Sequence, residues 1–148
     1  MAKRNGKMIA LSVCCALALL LSAGALARQL AKETTKELSA TSYAIGAVTA
    51  EGEIDSKDKT AITSDKLKVK DLVSIEIEED AEVSVVLHWY DEDDELLSSS
   101  VVTDEKPVGP EGAEYFRVEI EPTDDDDGEV SFFEKGSYAN LVTVTLKK

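Results

Sequence analysis

Five side chains in two short stretches offer the richest chemistry in this sequence. His88 and Tyr90 close the run Val83–Tyr90, and Tyr115, Arg117 and Glu119 alternate in the run Tyr115–Glu121. Alternate residues of a strand share a face. Each stretch therefore has an apolar side (Val83, Val85, Leu87, Trp89; Phe116, Val118, Ile120) and a mixed polar side. If the polar sides share one sheet, an imidazole, two phenols, a guanidinium and a carboxylate come together. A carbohydrate site needs that mixture, with flat aromatics for sugar C–H faces and fixed polar groups for hydroxyls. The same pattern also suits a solvated outer face, with Arg117 paired to a neighbouring acid.

A second candidate is the run Asp124-Asp125-Asp126-Asp127-Gly128. Counted as a calcium loop from Thr123, it sets Asp125, Asp127, Ser131 and Glu134 at the third, fifth, ninth and twelfth positions, with Gly128 sixth. A hard cation wants oxygen ligands at such spacing and a glycine at the sharp bend. The first position is Thr123 rather than an acid, Pro122 precedes it, and both flanks read as strands. A charged hairpin turn that keeps a sheet edge soluble is the simpler explanation of the run. Asp91–Glu95 is a second acidic turn of this kind. Calcium is the one cofactor these runs suggest.

Catalytic signatures are missing. His88 is the sole histidine, and no G-x-S-x-G, H-E-x-x-H or Gly-rich phosphate loop occurs. The expectation is a non-enzyme.

The elements that must position these residues are strands. Tyr43–Val48, Val73–Ile77, Val83–Tyr90, Leu96–Val102, Tyr115–Glu121 and Leu141–Leu146 alternate or are β-branched, and Ala61–Ser64 and Leu67–Val69 are short apolar pieces. Val130–Phe133 reads as a strand pairing back after the acidic turn. Lys106–Gly112, with two prolines and two glycines, must be a loop. Short strands with turn signals about every ten residues favour a sandwich or small barrel over βαβ units.

The N-terminus is different in kind. Lys3, Arg4 and Lys7 precede 20 uncharged residues, Met8–Ala27, ending in Ala25-Leu26-Ala27 before Arg28. That is the layout of a signal peptide, and its length also just suffices for a membrane anchor. Residues 28–40 then read as a tether and 41–148 as the domain. The whole chain carries −14, and with three of its 16 cations in the leader the remainder carries −17. Such charge argues against nucleic acid and against docking on anionic lipid. Contact with a membrane is expected only through an uncleaved N-terminal helix. Both cysteines, Cys14 and Cys15, lie in the leader, so the exported domain has no disulfide.

Three segments carry a family resemblance: Ile62–Lys70, Leu87–Ser98 with its Tyr90-Asp91 hairpin, and Pro110–Val118 with its Ala113 loop and Arg117. Together they resemble the galactose-binding-like jelly-roll domains of Gram-positive surface and phage proteins. The resemblance implies an eight-stranded jelly-roll-like β-sandwich, used as an accessory module for glycan binding or attachment. The sequence expectation is a secreted protein, or one held on the extracellular face of the cell membrane. Its partner would be a surface glycan or an envelope protein. The alternative is a structural envelope protein whose acidic surface binds divalent cations and which has no sugar site.

Overall fold

The structure is a computed structural model that describes residues 34–124 and 128–148. The expected N-terminal helix, and Asp125 and Asp127 of the acidic run, lie outside the described residues. The chain divides into two compact units, residues 1–36 and Glu37–Lys148. All the candidate site residues belong to the second. A short strand, β1 (Thr35–Glu37), crosses the division.

The second unit is mostly β, and its sheets are antiparallel. The larger sheet runs β2 (Tyr43–Ile45), β5 (Ile62–Ser64), β10 (Tyr115–Pro122), β8 (Val83–Tyr90), β9 (Leu96–Val101), with β6 (Leu67–Lys68) also paired to β10. A second sheet pairs β7 (Leu72–Ile77) with β11 (Val142–Lys147). The hairpin β3 (Ala47–Val48) and β4 (Ile54–Asp55) stands apart from both. A short α-helix, α1, spans Lys135–Asn140.

The period-two faces decide the packing. Val85, Leu87 and Trp89 of β8 and Phe116, Val118 and Ile120 of β10 point into one core, which Ile75, Val142, Val144 and Leu146 enter from the second sheet. Each such side chain stabilises the fold by about 1.5–3 kcal/mol when fully buried. Trp89 and Phe116 are cross-strand partners with ring centroids 5.8 Å apart.

One irregularity matters for the site. β5 pairs with the far half of β10 (Thr63 opposite Glu119) and β6 with its near half (Leu67 opposite Phe116). Val118 falls in the gap, and its N–H is taken by the Ser64 hydroxyl at 2.9 Å. The side chain thus replaces a missing rung of the ladder, as a buried N–H demands.

The expectation of a strand over Val130–Phe133 is corrected. Val130 is buried, and Ser131 then opens a helical turn: the Glu134 carboxylate accepts both the Ser131 N–H (2.9 Å) and its hydroxyl (2.6 Å). The Ser131-x-x-Glu134 spacing is that of a capping box, of which the carboxylate half forms, and it outweighs two phenylalanines of good strand propensity.

Candidate functional site

β8 and β10 bring the five candidate residues onto one face. Tyr90 lies opposite Tyr115, and His88 opposite Arg117, while Glu119 sits one pair further along opposite Val86. β9 adds Ser99 opposite His88. This is the juxtaposition the alternation suggests, yet the middle of the face is covered. Tyr90, His88 and Glu119 are 0%, 6% and 9% exposed, whereas Tyr115 and Arg117 are half-buried.

The β3–β4 hairpin closes the face. The chain leaves β2 at Gly46, whose φ of 147° turns it out of the sheet. Thr63 Oγ1 donates to the Gly46 carbonyl at 2.6 Å and fixes that corner. One oxygen of Glu119 then accepts the backbone N–H of Val48. At the tip of the hairpin, Gly52 rests on the ring of Tyr90, and its carbonyl accepts the Tyr90 hydroxyl at 2.8 Å. A Cβ at Gly52 would stand 2.8 Å from Tyr90 Cε1 and 2.9 Å from Leu96 Cβ. Only glycine allows this approach, and its φ of +84° favours glycine as well.

Inside the closed face the polar groups answer one another. His88 Nδ1 and the Ser99 hydroxyl are 2.8 Å apart, and His88 Nε2 lies 3.5 Å from Glu119 Oε1. At that distance His88 Nε2 has no hydrogen-bond partner among the described residues. Arg117 turns to a carbonyl rather than to the expected acid: its Nη1 donates to the Ser64 carbonyl at 2.8 Å. Lys66 places its ammonium 4.4 Å from the centre of the Tyr90 ring while pairing with Asp94 at 2.9 Å. Burial pushes the Tyr90 phenol above its usual range, against the opposing pull of the Arg117 cation. A buried phenol that donates to a carbonyl gains nothing by ionising.

Ser99, His88 and Glu119 form a row of hydroxyl, imidazole and carboxylate. In the chemistry of activated nucleophiles the carboxylate orients the imidazole. Here the same carboxylate is bound to the Val48 N–H, so it holds the hairpin down. The row is a closure device on the distances present.

The calcium candidates fall differently. Ser131 and Glu134 are bonded to each other in the turn before α1, and those bonds hold the Glu134 carboxyl below its ordinary value. No group of three potential metal ligands occurs among the described residues. The Asp91–Glu95 run is a turn, in which Asp91 Oδ1 accepts the N–H groups of Asp93 and Glu95, both at 2.9 Å.

Alternation alone did not single out Ser64, Ser99, Gly46 or Gly52. The two glycines were the available signal, since isolated glycines beside strand patterns mark close backbone approach.

Comparison with family models, with curated proteins and with solved structures gives no match.

Proposed function

We propose that this chain is an exported, non-catalytic binding or attachment module that engages its partner through its outer surface. The observation that carries the reading is the closed face: Tyr90, His88 and Glu119, the residues best suited to hold a small ligand, are occupied by the chain's own hairpin. The basic start and the uncharged Met8–Ala27 run support export, with the leader cleaved or kept as an anchor. An envelope protein is then the better partner than a sugar. We read the two sheets as a jelly-roll-like sandwich, on the support of the single core they share. Calcium would act on the acidic turns rather than on the closed face.

The test begins with the exported form recovered from the producing cells. That form is incubated with isolated envelopes treated either with protease or with periodate, and bound protein is measured. Binding lost after protease and retained after periodate is the expected result. The reverse pattern would transfer the function to a glycan, bound through Tyr115 and Arg117, which remain half-exposed. Absence of binding to either preparation would contradict an attachment role.

A further inference from the structure

Two of the three phenylalanines are on the surface. Phe132 is 74% and Phe133 91% exposed, and their rings meet edge to face at 6.0 Å. The Ser131–Glu134 bonds close the turn that carries them, and Val130 just before is buried and donates to the Lys59 carbonyl. Lys135 donates to the Tyr43 carbonyl at 3.0 Å and lies 5.7 Å from the centre of the Phe132 ring. The nearby charge in sequence is otherwise acidic: Asp124–Asp127, Glu129 and Glu134. Exposed aromatic pairs of this kind anchor interfaces when a pocket receives them.

The same domain offers such a pocket. A groove of about 340 Å³ is lined by Val69, Leu72, Val73, Lys106, Pro107, Val108 and Gly109. Gly109 lies against Trp89 so closely that a Cβ would stand 2.8 Å from the indole. Val108 is 91% exposed. Among the described residues, Lys106 is the only charged one in the wall. Two other grooves, of about 190 and 140 Å³, each have two acids in their walls: Glu76 with Glu78, and Asp104 with Glu105. By the charge of its wall, the first suits an aromatic pair with acidic neighbours better than those two do.

Groove and aromatic pair belong to opposite ends of β7. Leu72 and Val73, at the start of that strand, line the groove. The phenylalanines lie in the turn before α1, which leads into Val142, opposite Ile77 at the strand's other end. The six residues of β7 separate the two ends by on the order of 17 Å. A single copy cannot fill its own groove. We propose that Phe132 and Phe133 of one copy dock in the Val69–Val108 groove of a second copy, beside its Lys106, in a head-to-tail contact. A contact between two different patches of one molecule builds rings or filaments rather than closed two-fold dimers. Pair and groove are present whether or not the chain is exported, so this contact stands apart from the function proposed above.

The test places p-benzoylphenylalanine at position 133 of the full chain, in the cells that make it. After irradiation, products are separated by mass and the linked peptides are sequenced. The expected result is a ladder of multiples of the chain mass, with position 133 joined to residues 69–73 or 106–109. Lys106→Glu, and independently Val108→Asp, should reduce the dimer band about ten-fold without lowering the melting temperature. Links to lipid only, to another protein, or within one copy would overturn the proposal, as would an unchanged ladder in both variants.

Discussion

The carboxylate of Glu119 accepts the backbone N–H of Val48, 71 residues away in sequence, and pins the β3–β4 hairpin on the face of the sheet. Its other oxygen faces His88. A row of residues that could recognise a ligand is thereby turned into a fastening.

Glu119→Ala should be costly. It strands the Val48 N–H and leaves His88 beside an empty space. Loss of a partly buried acceptor to a backbone N–H costs about 1–3 kcal/mol. Glu119→Gln keeps a carbonyl oxygen for Val48 and should lose less. Denaturant unfolding of both variants checks the order. Equal losses would mean that the bond to Val48 contributes nothing.

Gly52 and Gly112 provide a matched comparison. Both have positive φ, +84° and +86°, but a Cβ at Gly112 meets nothing within 4 Å, whereas one at Gly52 strikes Tyr90 and Leu96. Gly112→Ala should therefore cost only the backbone term of about 1 kcal/mol. Gly52→Ala should cost a further 1–3 kcal/mol or so, from forcing the ring and hairpin apart. Thermal melts of the two variants measure the difference. Equal shifts would refute the packing of Gly52 on Tyr90.

Tyr43 is buried, and its hydroxyl has no partner among the described residues. Tyr43→Phe removes an unsatisfied group and should stabilise the domain by about 1 kcal/mol at neutral pH. Burial also raises the Tyr43 phenol well above its ordinary value of 10.0. The folded state then holds its proton more tightly than the unfolded state. That contribution is fully present below about pH 10 and is lost as the pH rises beyond it. The melting temperature of Tyr43→Phe should thus fall less steeply in alkali than that of the parent. Parallel alkaline slopes would contradict the burial argument.

The two strands that position the candidate residues were legible almost to their ends. Strict alternation over Val83–Tyr90 and Tyr115–Glu121 follows directly from one buried face, and the register places His88 against Arg117 as a shared polar side requires. What alternation could not show is the second layer on that polar side. Its cover comes from residues 46–55, and nothing in His88 or Glu119 themselves distinguishes a buried acid from a solvated one. The glycines at 46 and 52 were the only local trace. Val130–Phe133 departs from the strand expectation for the opposite reason: the spacing Ser131-x-x-Glu134 was written in the sequence, but two aromatic residues suggested a strand. Ser64 filling the gap opposite Val118 depends on where β5 ends and β6 begins, and short apolar runs do not define such ends.

Hydrogen exchange at the Val48 amide tests the closed face most directly. If Glu119 holds it, that amide exchanges slowly at neutral pH, at a rate near that of the Val118 amide within the sheet, and Glu119→Ala releases it while Val118 stays protected. A Val48 amide that exchanges as fast as an open loop in the parent protein would contradict the closure, and would return His88, Tyr90 and Glu119 to solvent as a ligand surface.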